Sequence, residues 1–146
     1  MNALLSIPRN AILVDTGFLV ALFNPREPQH LSARNFLQQC HSPLITVEAV
    51  VVETCFFLSD SQRHAFLTAI TAQALQVIPT DTSAHSRIAT LFQKYQDQEP
   101  DYADMALIWL AETTDIASIL TLDIQDFSRY RIRGRKFFSL LEWIGI

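Results

Sequence analysis

The tightest constraint on this chain is a recurring pair: a short, unbroken apolar run followed by a stretch with helical spacing. Residues 11–14 (Ala-Ile-Leu-Val), 43–46 (Pro-Leu-Ile-Thr), 75–79 (Leu-Gln-Val-Ile-Pro), 118–122 (Ser-Ile-Leu-Thr-Leu) and 137–141 (Phe-Phe-Ser-Leu-Leu) read as strands. Residues 32–39, 47–58, 61–74, 82–95 and 101–113 read as helices. Runs this short and apolar suit strands covered on both faces, and strand–helix alternation suits a parallel sheet between helices. The predicted fold class is therefore α/β: a three-layer α/β/α arrangement with a central parallel sheet of four to five strands, with residues 1–146 forming a single domain. A chain of 146 residues, 49% of them apolar, is long enough to bury a core without staples. The helix over 47–58 is apolar nearly all round and is predicted to be buried, with Thr46 as its N-cap and Glu48 in its first turn.

Composition removes several classes of function. The net charge of −4 is too small, and the apolar fraction too high, for a disordered chain. No run approaches the ~20 apolar residues of a membrane span. The first ten residues lack a basic-then-apolar secretory signal, so a cytoplasmic location is expected. The only glycines are Gly17, Gly134 and Gly145, so there is no dinucleotide-binding glycine loop, no P-loop and no nucleophile elbow. Cys40 and Cys55 are expected to be reduced core thiols, and His30, His41, His64 and His85 to be surface residues rather than ligands. Charge is uneven. Residues 1–128 hold six basic against fourteen acidic side chains, whereas residues 129–136 (Arg-Tyr-Arg-Ile-Arg-Gly-Arg-Lys) carry five cations. Such a strip can grip phosphates, or it can be a solvated edge.

The informative residues are acids. Ligands of open parallel sheets bind beyond the carboxyl ends of the strands, where strand order reverses. Asp15 and Asp123 each follow an apolar run and should emerge on that edge. Glu53 lies among valines and phenylalanines, where a carboxylate must find a partner or stay protonated. Asp101 and Asp104, three apart, share one face of the helix they open. Asp15, Asp101 and Asp123 each have a local explanation as caps or turn residues, with Asp126 as a further turn acid, and Asp104 as a favourable first-turn acid. No lysine or arginine is close in sequence to Asp15, Glu53 or Asp104. Gathered together, such carboxylates would repel one another, and a hard divalent cation relieves that cost. A cation of this kind acts on phosphoryl groups.

Four segments together resemble the PIN domain family: Ile12-Leu-Val-Asp15-Thr-Gly-Phe-Leu-Val-Ala21, Glu53-Thr-Cys-Phe-Phe-Leu58, Asp101-Tyr-Ala-Asp104-Met-Ala-Leu-Ile-Trp109 and Ile119-Leu-Thr-Leu-Asp123-Ile-Gln-Asp126. The resemblance runs in order from about residue 11 to residue 141. It implies a Mg²⁺- or Mn²⁺-dependent endoribonuclease of the VapC toxin kind, held inactive by a small antitoxin, and a homodimer. It implies Asp15, Glu53, Asp104 and Asp123 as the catalytic acids. Asp15, Asp101, Asp104 and Asp123 are the implied metal ligands, with Thr16, Thr121 and Asp126 supporting them. Met105, where the family has a small residue, is expected to narrow the pocket. The arginines at 129–135 are candidates for the RNA backbone. Two other readings are a PIN scaffold that binds RNA or protein without cutting, and an aspartyl-phosphate phosphatase. The phosphatase wants a second aspartate two positions after Asp15, where Gly17 stands.

Overall fold

The structure is a computed structural model, and it describes residues 7–145. The elements run in the order β1 (Ile12–Val14), α1 (Thr16–Phe23), α2 (His30–Gln39), β2 (Leu44–Val47), α3 (Glu48–Phe56), α4 (Asp60–Thr71), β3 (Gln76–Ile78), α5 (Thr82–Lys94), α6 (Tyr102–Thr114), β4 (Ser118–Leu120), α7 (Ile124–Arg129), β5 (Arg131–Ile132), β6 (Lys136–Phe137) and β7 (Ser139–Leu140). The sheet has five strands in the order β3-β2-β1-β4-β7, all parallel. This is the expected three-layer α/β/α fold. β1 and β2 are buried at every residue, which is why their sequences show no alternation.

Strand order reverses between β1 and β4. From β1 the chain steps outward to β2 and β3, then returns to add β4 on the other side of β1. The crevice at that reversal lies beyond Val14 and Leu120, which are paired in register. One apolar cluster runs through the molecule, from Leu13 and Val14 to Ile119, Leu120 and Trp143. Every residue of α6 from Ala103 to Glu112 is buried, making it the central helix.

Several expectations are corrected. Thr46 does not cap α3. It is the third residue of β2, and its hydroxyl donates to Val14 O at 2.7 Å, while Val47 takes the cap position without a side-chain bond. Nor is α3 buried all round, because Val52 and Phe56 are exposed on it and Phe57 just after it. The predicted strand over 137–141 is two strands: β6 pairs antiparallel with β5, and only β7 joins the main sheet. The basic strip is therefore a hairpin, turning at Arg133 and Gly134, both with positive φ. The helix predicted to reach residue 74 ends at Thr71, where Gln73 turns left-handed. α7, read from the sequence only as a turn, is a helix. Cys40 and Cys55 are free thiols but half-buried at the margin of the core. His30 is half-buried and bonded through Nδ1 to Ala21 O at 2.7 Å, while His41, His64 and His85 are exposed as expected.

Candidate active site

Helix starts deliver the acids. Asp15 caps α1, its Oδ1 accepting from Thr16 N at 2.8 Å. Asp101 caps α6, its Oδ1 accepting from Asp104 N at 2.8 Å. Asp123 caps α7, its Oδ1 accepting from Asp126 N at 3.3 Å. The local explanations from sequence are thus correct, and they coexist with a shared location. A cap aspartate has a second oxygen to spare, and the positive end of a helix favours its charge.

Asp15, Glu53, Asp101, Asp104 and Asp123 line one cavity of about 300 Å³. Among the described residues, Thr16, Gly17, Val20, Glu27, Phe57 and Leu122 complete its wall, and no lysine or arginine does. Asp15 and Asp104 are buried, Glu53 and Asp123 half-buried, and Asp101 exposed at the rim. Glu53 is therefore less enclosed than its apolar neighbours in sequence suggest, because α3 turns its Val52 and Phe56 flank outward. Asp104, Asp123 and Asp126 form a tight group, each offering one carboxylate oxygen within 4.8 Å of the others. Asp126, read from the sequence as a supporting residue, thus lies within ligand reach. Met105 does not narrow the cavity; its side chain is fully buried in the core.

Thr121 ties the two strand-end acids together. Its hydroxyl donates to Asp15 Oδ2 at 2.8 Å and accepts from Asp123 N at 2.9 Å. Gly17 has a steric reason. A Cβ there would stand 2.8 Å from Leu122 Cδ1 and 3.0 Å from Leu122 Cβ, so glycine lets Leu122 close over the first turn of α1.

The electrostatics match an unneutralised cluster. Burial pushes Asp15 up to about 6, against the hydrogen bonds from Thr121 and Thr16 that pull it down, while Glu53 and Asp101 add repulsion. Burial also drives Asp104 far above the ordinary carboxylate range, reinforced by the charges of Asp15 and Asp101. Asp123 rises through burial and its pairing with Asp126. Thr16 Oγ1 is buried in this wall without a hydrogen-bond partner among the described residues. An all-oxygen donor set with strained charges and an orphaned hydroxyl fits a hard divalent cation and its water.

Two residues had escaped the sequence reading. Glu27 reaches the wall from the loop after α1, and its only signal was that proximity. Tyr130, just past α7, donates its buried hydroxyl to Asp104 Oδ2 at 2.9 Å. It follows Asp126 by four residues, a weak hint on its own. Of the strip's arginines, two are engaged within the molecule. Arg131 lies 3.8 Å over the Phe137 ring, and Arg133 pairs with Asp115 at 2.9 Å. Arg129, Arg135 and Lys136 are exposed and make no ion pair among the described residues.

Fold and cavity define a class: parallel α/β domains that gather carboxylates at the point where strand order reverses. The chain belongs to the PIN domain family, whose pattern matches residues 12–132. It is 27% identical over 134 residues to ribonuclease VapC26 of Mycobacterium tuberculosis, covering 89% of this chain and 99% of that one. Its fold is similar to VapC20 of M. tuberculosis, described as a sarcin–ricin loop cleaving toxin, with a TM-score of 0.68 and 18% identity over 78% of this chain and 91% of that one. A toxin–antitoxin complex from Klebsiella pneumoniae matches with a TM-score of 0.59 and 19% identity, covering 81% and 91% of the respective chains.

Proposed function

We propose that this protein is a Mg²⁺- or Mn²⁺-dependent endoribonuclease and the toxin of a VapBC-type toxin–antitoxin pair, acting in the cytoplasm. The observation that carries the activity is the cavity in which Asp15, Glu53, Asp101, Asp104 and Asp123 meet with no basic side chain among the described residues that line it. The relatives named ribonuclease and toxin support the same reading. Asp104, Asp123 and Asp126, with Asp15 and Asp101 beside them, would hold the cation. When bound, it supplies charge neutralisation at the phosphate and a more acidic water.

The chain's own groups do the rest. Thr121 and the Thr16 amide fix both oxygens of Asp15, so that carboxylate enters the cavity in one orientation. Glu53, half-buried in the cavity wall and held by no ion pair among the described residues, receives the proton of the attacking water. Arg129, Arg135 and Lys136 offer cations to the RNA backbone. α7, with six residues and a rise of about 1.5 Å each, places Arg129 about 9 Å along the helix from Asp123. Binding through them weakens as salt rises. A cognate antitoxin and a homodimer complete the proposal; the complex from K. pneumoniae supports the first.

The test compares RNA cleavage by wild type, Asp15→Asn and Asp104→Asn with Mg²⁺, with Mn²⁺ and with chelator. The expected result is metal-dependent cleavage by wild type and a loss of at least 100-fold in both variants, the scale on which removing a charge-stabilising group acts. Equal cleavage by all three proteins would exclude these acids. No cleavage by wild type, with RNA still bound, would favour the non-cleaving scaffold.

A further inference from the structure

Tyr130 is a tyrosine in an unusual place. It is 1% exposed, yet its hydroxyl meets a carboxylate rather than a backbone carbonyl, at 2.9 Å from Asp104 Oδ2. Its ring is held edge-on by Tyr95 at 5.0 Å and Phe127 at 5.1 Å between centroids. The backbone is held as well, because the Tyr130 amide donates to Asp126 O and the next amide, of Arg131, donates to the Tyr95 hydroxyl. The hydroxyl is therefore fixed by packing before any ligand arrives. Asp104 needs such a partner. It sits in the first turn of α6 with Asp101, Asp123 and Asp126 around it and no basic side chain among the described residues of the cavity wall.

We propose that Tyr130 is a positioning residue: its hydroxyl occupies Asp104 Oδ2 and thereby aims Oδ1 at the space shared with Asp123 and Asp126. The inference rests on the metal-site reading above. A carboxylate held by a rigid neighbour loses less rotational freedom when it ligates, and outer hydrogen bonds of this kind change metal affinity by about 10- to 100-fold. In the absence of RNA, the effect of Tyr130 falls on binding of the ion itself.

The experiment measures Mn²⁺ binding to the RNA-free protein by calorimetry, for wild type, Tyr130→Phe and Thr113→Val. Tyr130→Phe keeps the ring and its edge contacts and removes one oxygen. Thr113→Val removes a hydroxyl from the far end of α6, where it donates to Trp109 O and Leu110 O. The expected result is a Mn²⁺ dissociation constant about tenfold higher in Tyr130→Phe and unchanged in Thr113→Val, with RNA cleavage by Tyr130→Phe recovering at saturating Mn²⁺. A merely structural hydroxyl would lower the melting temperature of metal-free protein and leave the dissociation constant alone. Unchanged Mn²⁺ affinity in Tyr130→Phe would overturn the proposal while leaving the metal site standing. A Tyr130→Phe protein that does not fold would show that the hydroxyl serves the fold, which also overturns it. No Mn²⁺ binding by wild type would overturn the metal-site reading and the role of Tyr130 together.

Discussion

Thr121 shows how much one side chain can carry at the end of a strand. It is 1% exposed, and its single oxygen both donates to Asp15 and accepts from the Asp123 amide. Thr121→Val preserves the shape and removes both bonds, leaving a carboxylate oxygen and an amide to find water through the cavity. The expected loss is about 1–3 kcal/mol of stability, measured by urea unfolding, because unmet buried polar groups cost that much. Mn²⁺ affinity should fall with it, since Asp15 would no longer be fixed at both oxygens. A variant as stable as wild type and with unchanged Mn²⁺ affinity would show that the bridge between Asp15 and Asp123 is ornamental.

At the level of elements, one acid joins α5 and the basic hairpin to the end of α6. Glu112, near the end of α6, receives Arg87 Nε and Nη2 on its two oxygens, both at 2.8 Å, and the Arg133 amide at 2.8 Å. Burial alone would raise its pKa, but Arg87 and the Arg133 amide more than cancel that and leave it below the ordinary value. Glu112→Ala should cost about 2 kcal/mol by urea unfolding, because it leaves the Arg133 amide without its acceptor and Arg87 without its partner. The figure stays at that level because Arg87 is about a third exposed and water screens the pair. The hairpin also marks where sequence reasoning ran out. Asp15 and Asp123 were legible because each closes a run of apolar residues, and the parallel sheet follows from those runs. The split of residues 137–141 was not, because Phe137 is exposed and pairs with the basic strip, whereas Leu140 enters the sheet. Thr46 was misplaced for a similar reason. A threonine before a helix looks like a cap, and only the neighbouring strand shows that its hydroxyl belongs to Val14. Tyr130 was invisible because its partner lies 26 residues away in the chain.

Across the whole molecule, the cavity should set how stability depends on pH. Asp15 binds its proton more tightly in the folded chain, with a pKa of about 6 against an ordinary value of 3.8. Asp104 and Asp123 are raised in the same sense. For an acid raised on folding, the contribution to stability is greatest below its unfolded pKa and is lost as pH climbs through the folded one. Glu112, lowered on folding, works in the opposite sense, but its contribution is complete once pH exceeds the ordinary carboxylate range. The melting temperature of metal-free protein should therefore fall between pH 5 and pH 8. Mn²⁺ competes with those same protons, so the increment it adds should grow over that interval, approaching about 2.7 kcal/mol when free Mn²⁺ is a hundredfold above its dissociation constant. Asp104→Asn separates the two effects. It removes a buried carboxyl whose ionisation folding opposes, so metal-free protein should melt higher than wild type at pH 8 and show a shallower slope, while the increment from Mn²⁺ largely disappears. Scanning calorimetry at pH 5, 6, 7 and 8, in chelator and in Mn²⁺, reads all of these quantities. A metal-free melting temperature that rises across this range would mean that the carboxylates are neutralised within the chain, and the cavity would then have no need of a cation.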